Sequence, residues 1–204
     1  TKTAFDSLQA KYAGRLMNHS ADSLFRHRIE LIPNCGHSID YSLTTPWLKT
    51  YKRNPYPHTF MWEDYPMDGQ HRLGFYNLHV LQRPKAADGL KDTSGEDRDY
   101  YEMDIKDNVI RLSVKKVTYQ TVERDPVYGI DLKFAKSYHP TSGGKWKIYL
   151  NNQLVDMNKP ITVFINDRKV FEGKIVPRME DMITSCMEYF DPCRVFPASV
   201  DVAL

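Results

Sequence analysis

No apolar run in this chain reaches the ~18 residues that a membrane-crossing helix needs, and its N-terminus lacks the basic-then-apolar pattern of a secretory signal. Cysteine is scarce and odd in number. Cys35, Cys186 and Cys193 have no C-x-x-C spacing, which excludes a disulfide framework or a zinc site as the organising device and leaves three free thiols. The seven histidines are scattered singly, with no H-E-x-x-H or similar ligand pattern. An excess of one charge is missing too: 28 Lys and Arg stand against 26 Asp and Glu, and no block of five like charges occurs. Nothing in that balance calls for nucleic acid or an anionic surface. The expectation is a chain without metal, cofactor, nucleic-acid partner or membrane span.

What remains is the composition of a globular chain of 204 residues, 41% hydrophobic and 12% aromatic, with a mean hydropathy of -0.56. That length suffices for one large core or two modest ones. The thirteen tyrosines favour half-buried strands over an all-helical design. Between Ala4 and Met17, Phe5, Leu8, Tyr12 and Leu16 recur every three or four residues, predicting a helix capped by Thr3. Arg28–Ile32 reads as a strand, stopped by Pro33, Asn34 and Gly36. A short helix is predicted over Thr45–Tyr51 with Pro46 in its first position, before Arg53–Pro57 forces extended backbone.

Past Pro57 the texture changes to short, bounded strand candidates: Thr59–Trp62, Leu73–Val80, Val109–Val114, Gly129–Phe134 and Lys145–Leu150. Pro160–Ile165 and Arg168–Glu172 flank Asn166–Asp167, a pair that tolerates the positive φ of a two-residue hairpin turn. Ala198–Leu204 returns to period two, and Pro84–Asp99 has the composition of a mobile loop. In Met179–Phe190 the residues Met179, Met182, Ile183, Cys186 and Phe190 form one stripe, expected to face a sheet, and Asp191–Pro192 stops that helix. The pattern points to an antiparallel β-sandwich interrupted by one helix.

Candidate chemistry centres on His37, on a Gly-containing loop just past a predicted strand end, where open α/β sheets present catalytic groups. An imidazole relays protons near neutrality if a carboxylate fixes its tautomer. Asp40 lies three residues on, although triad carboxylates usually arrive from a separate strand, and a lone loop histidine is more often structural. Cys35 reads as a packed small residue rather than a nucleophile. No Gly-x-Ser-x-Gly elbow occurs. Trp62, Tyr65, Phe75, Tyr76, Tyr100 and Tyr101 offer either a sugar-stacking surface or, more commonly for alternating strands, core packing. Asn18-His19-Ser20 is a formal glycosylation sequon without assigned function.

Taken together, Arg28-Ile-Glu-Leu-Ile-Pro-Asn-Cys-Gly-His-Ser-Ile-Asp-Tyr41, Trp47-Leu-Lys and Lys52-Arg-Asn-Pro-Tyr-Pro57 resemble the last part of a bacterial α/β-hydrolase of the prolyl-oligopeptidase/esterase-like type. Ile148–Val163, Asn166–Lys174, Asp191-Pro192 and Phe196-Pro-Ala198 are similar to the β-sandwich appended to such enzymes, while 85–142 matches no pattern of the family. The resemblance implies that residues 1–55 are the C-terminal edge of the hydrolase domain. It makes 56–204 an immunoglobulin-like antiparallel β-sandwich accessory domain with one helix at about 178–190. His37 would be the triad histidine, general base then acid, with the serine and aspartate upstream of Thr1. Such a chain is expected to be an excised or processed piece, inert alone; the sequence leaves its compartment open, a periplasmic or secreted parent being one alternative. Its strand Arg28–Ile32 is expected to pair with the missing hydrolase domain, with the sandwich, or with a second copy. The rival expectation is a stand-alone sandwich that binds carbohydrate or serves structure.

Overall fold

A computed structural model describes residues 41–87 and 98–204. The predicted helix at 4–17, the strand at 28–32, Asn18, Cys35, His37 and Asp40 lie outside the described residues, as does most of the loop expected at 84–99. The chain divides into two compact units, Thr1–Lys52 and Arg53–Leu204.

In the first unit, helix α1 (Thr44–Lys49) starts two residues ahead of Pro46, which therefore sits in its first turn rather than opening it. Its exit is closed by the Thr50 hydroxyl, which donates to the Trp47 carbonyl at 2.7 Å, and by an edge-to-face contact of Trp47 with Tyr51 at 5.0 Å.

The second unit is built from β1 (Thr59–Asp64), β2 (Gly74–Phe75), β3 (Leu78–Gln82), β4 (Lys85–Ala86), β5 (Arg98–Lys106) and β6 (Val109–Arg124). It continues with β7 (Asp131–His139), β8 (Thr141–Ser142), β9 (Lys145–Leu150), β10 (Ile161–Ile165), β11 (Arg168–Gly173), helix α2 (Met179–Tyr189), a 3-10 turn Pro192–Arg194 and β12 (Ala198–Ala203). One sheet runs β1-β5-β6-β10-β11 with β7 also paired to β6; a second runs β12-β9-β3-β2; β4 and β8 form a small third pair. The chain is thus mainly β, in sandwiched sheets. One pairing departs from the antiparallel expectation: β10 runs parallel to β6, Val163 opposite Ile110.

Alternation explains the layers. Tyr101, Met103 and Ile105 of β5 and Ile110, Leu112 and Val114 of β6 turn inward against Leu78 of β3, Trp146, Ile148 and Leu150 of β9 and Val200 and Val202 of β12. Inside this core Trp62 stacks on Tyr101 at 5.0 Å and on Phe75 at 5.6 Å, so its aromatic share is dense. The hairpin β10–β11 forms as predicted, with Asn166 and Asp167 at φ of 47° and 64°. Asn166 then reaches sideways: its amide oxygen accepts from the Val114 N–H at 2.8 Å and its amide nitrogen donates to the Val114 carbonyl at 3.1 Å, tying the turn to β6.

Strand β5 (Arg98–Lys106) was not expected, and the segment 84–99 read as a loop carries β4 and the start of β5, where Asp99 is buried because Arg83 and Lys116 pair with it. Two further elements differ. The single strand expected at Leu73–Val80 is broken into β2 and β3 because Tyr76 takes a positive φ of 50° and reverses the chain. Strand β6 runs on to Arg124, well past Val114, and beyond Val117 it pairs, among the described residues, with β7 alone. From Gln120 of β6 and along its partner stretch of β7 both strands are exposed on both faces, carrying Val122, Leu132 and Phe134.

The helix also corrects the expected orientation. Met179, Ile183, Cys186, Met187 and Phe190 are exposed and Met182 largely so; the inward face of α2 is polar. Asp181, Ser185 and Glu188, spaced four and three apart, point to the outer side of the β12-β9-β3 sheet. Ser199 of β12 donates to Asp181 at 2.7 Å, Ser185 accepts from the Phe196 N–H at 2.9 Å, and Glu188 pairs with His79 of β3 at 2.9 Å. The first two contacts are directed hydrogen bonds and the third is a close histidine–carboxylate approach; all lie on the polar face of the helix, so the stripe of apolar residues ends up facing away.

Candidate functional site

His37, the residue singled out by sequence, lies outside the described residues. Cys186 and Cys193 are exposed free thiols. Of the six aromatics proposed for ring stacking, Trp62 and Tyr101 are buried between the sheets and Phe75 and Tyr76 are half-buried against the same core. Only Tyr65 and Tyr100 lie toward the outside. They join three aromatics not anticipated from sequence.

That outer layer follows from register. Tyr100 of β5 lies opposite Glu63 of β1 and Lys115 of β6; Arg98 lies opposite Val117; Val117, Tyr119 and Thr121 lie opposite Tyr138, Lys136 and Phe134 of β7. Directly opposed residues share a face, so all of these side chains rise on the exterior of one sheet. Val117 is buried yet stands apart from the inter-sheet core, because the layer above covers it. Tyr100 meets Tyr138 edge-on at 5.1 Å and Tyr119 meets Phe134 at 6.1 Å. The Lys136 ammonium sits 5.0 Å from the Tyr138 ring, 5.5 Å from Tyr100 and 5.6 Å from Tyr119; the Arg98 guanidinium sits 4.6 Å from Tyr119 and 4.9 Å from Tyr65.

Glu63 holds the layer together. It accepts from the Tyr119 hydroxyl at 2.8 Å and from Arg98 at 3.3 Å, and it bonds closely to Lys136. Burial pushes its carboxyl upward, but Lys136, Tyr119 and Arg98 outweigh burial and hold it below the usual carboxylate range. Lys136 loses some basicity to burial and regains more from Glu63, Tyr138 and Tyr119, so it stays charged. The result is a fixed cation under tyrosines, rimmed by the exposed Tyr65, Phe134 and Tyr138. Chemically this surface can stack flat, weakly polar rings; it holds no nucleophile.

A second cluster is buried. Asp64 accepts from His71 Nδ1 at 2.7 Å, His71 Nε2 contacts Arg83 closely, Arg83 Nε donates to Asp99 at 2.8 Å, and Lys116 pairs with Asp99 at 2.7 Å. A guanidinium only donates, so His71 Nε2 accepts and Nδ1 carries the hydrogen given to Asp64. The carboxylate-oriented histidine resembles half of a catalytic triad, but Arg83 occupies the place of the nucleophile. Burial raises the Asp64 carboxyl despite His71, and burial together with Asp99 pushes the Tyr101 hydroxyl well above its ordinary value. The cluster's visible work is positional: Asp64 also accepts the Arg72 N–H at 3.3 Å, fixing the loop after the Asp68–Gly69 turn. Sequence reading missed it because Asp64, His71, Arg83, Asp99 and Lys116 share no local spacing.

Among the described residues no group of three His, Cys, Asp or Glu is placed to hold a metal ion, and no helix is long and apolar enough to cross a membrane. No protein-family model, curated protein or solved structure matches the chain.

Proposed function

We propose that the chain is the C-terminal part of a bacterial serine hydrolase, peptidase or esterase, in which His37 serves as triad base and then acid while residues 56–204 form an immunoglobulin-like accessory module. The hydrolase half of this reading rests on the resemblance of Arg28–Pro57 and Ile148–Ala198. The observation that carries the accessory half is the outward layer of Tyr65, Tyr100, Tyr119, Phe134 and Tyr138 around Lys136, a ring-stacking surface on a sheet exterior. In the parent, acyl transfer to water would run through a serine upstream, with His37 taking its proton and returning it to the leaving group.

The same layer favours a second reading, a stand-alone carbohydrate-binding sandwich. The two part at the reading frame. Sequencing the codons upstream of Thr1 is expected to show an in-frame Gly-x-Ser-x-Gly, and the protein from the full frame is expected to react with a fluorophosphonate probe. His37→Ala should abolish that labelling, since loss of one triad member removes most of the rate. A native start at Thr1, or labelling unchanged by His37→Ala, overturns the hydrolase reading and leaves the binding module.

A further inference from the structure

A cleft of about 470 Å³ opens in the Arg53–Leu204 unit, lined by Arg53, Arg72, Arg194, Glu188 and the hairpin residues Leu73 to Tyr76. Its size lies in the range that holds small ligands. Three guanidinium groups converge on it against one lining carboxylate. Their roles differ. Arg53 is bound to Asp191, and Arg194 reaches the Tyr76 carbonyl; both are committed to the protein. Glu188 faces His79 at 2.9 Å. Arg72 is exposed, and among the described residues its guanidinium has no partner.

Two observations show that the site is held in place at some expense to the fold. The loop carrying Arg72 is tied through its backbone to Asp64, itself the end of the buried Asp64–His71–Arg83–Asp99 chain. Burying the two carboxylates Asp64 and Asp99 is worth little for stability alone. Next to it, Tyr76 adopts a φ of 50°, a conformation that a bulky residue rarely takes, and its ring packs on Phe75 at 4.6 Å and Phe60 at 5.5 Å. Backbone strain of this kind gathers where ligands are clamped. The cleft therefore offers an uncommitted guanidinium, on a backbone tied to Asp64, beside a half-buried aromatic wall.

We infer that this cleft binds a carboxylate attached to or next to a ring with an apolar face, with Arg72 forking the carboxylate and Phe75 and Tyr76 packing the ring. A uronate sugar and an aromatic acid share that chemistry: each pairs a planar anion with an apolar face. The inference does not depend on the hydrolase reading, since it needs neither His37 nor any upstream residue.

Calorimetric titration of the 204-residue chain tests it, with digalacturonate, cinnamate, the methyl ester of galacturonate and inorganic phosphate as probes. Binding of digalacturonate alone assigns a sugar acid, and binding of cinnamate alone assigns an aromatic acid; either supports the site. The neutral ester should bind at least about tenfold more weakly, as loss of a charge-assisted hydrogen bond predicts. Arg72→Ala should weaken binding by a similar factor, Arg72→Lys should keep part of it, and Lys159→Ala, removing an exposed charge outside the cleft, should change nothing. Unchanged melting of the Arg72 variants separates lost binding from lost fold. No heat from either ring carboxylate at millimolar concentration, an ester as good as the acid, phosphate as good as both, or wild-type binding by Arg72→Ala would each overturn the assignment.

Discussion

Gly143 and Gly144, in the link from β8 to β9, make a matched pair for testing how tightly the sandwich is packed. Both have positive φ, 64° and 101°, so alanine is strained at either position by about 1–2 kcal/mol. Their surroundings differ. A Cβ at Gly143 meets nothing within 4 Å, whereas one at Gly144 falls 2.4 Å from the indole of Trp146. Trp146 is fully buried at the centre of the core and has no free direction in which to retreat. Forcing such a shift adds about 1–3 kcal/mol of overpacking. Gly144→Ala is therefore expected to lose about 2–5 kcal/mol in all, and Gly143→Ala only the first part. For a unit of this size the difference corresponds to a Tm about 2–12 °C lower for Gly144→Ala than for Gly143→Ala. Urea and thermal unfolding of the two variants, followed by near-ultraviolet circular dichroism, check it. Coincident midpoints would refute the reasoning, because they would mean that the indole moves freely or that the link is not where the fold places it.

The orientation of α2 gives a second expectation: Asp181→Ala, which strips Arg178 and Ser199 of a buried acceptor, should lower stability by about 2 kcal/mol, while Met187→Ser should leave it within about 0.5 kcal/mol, as read from urea midpoints. A helix turned the other way would reverse that order. The third concerns acid. Glu63 titrates lower in the folded protein than in the unfolded chain, so its contribution is present above the unfolded value and is lost as pH falls through the folded one. Glu63→Gln should accordingly flatten the fall in stability on the acid side, and an unchanged acid limb in the variant would remove Glu63 from the account.

How much of this was legible in the sequence depended on whether the signal was local. Asn166–Asp167 between two apolar runs announced its hairpin, and the inward alternation of Ile110, Leu112 and Val114 announced its strand. The continuation of that strand through Lys115 to Arg124 was hidden, because its outer partners Tyr138, Lys136 and Phe134 come from a strand read as ending at Phe134. The stripe on α2 was read correctly as a stripe and assigned to the wrong side. Hydrophobic period identifies a face, but here Asp181 and Ser185 met hydrogen-bonding partners at Ser199 and Phe196, and Glu188 met His79, none of which a period reveals. The outer tyrosine layer and the cleft failed to show for a related reason: the first is assembled by cross-strand register and the second by loops and a helix end distant in sequence, and neither leaves a local spacing.

The doubly exposed reach of β6 and β7 has a kinetic consequence. Up to Val117 each β6 amide lies in a sheet with strands on both sides for much of its length, whereas past it the ladder among the described residues is a two-stranded ribbon. Opening such a ribbon exposes little that the core had hidden, so its amides exchange with solvent through local fraying rather than global unfolding. Protection from deuterium should thus drop in a step between Val117 and Thr121. Arg124 and Lys133, near the tip, then become accessible to a trypsin-like protease, and a nick there leaves the Trp146 core intact.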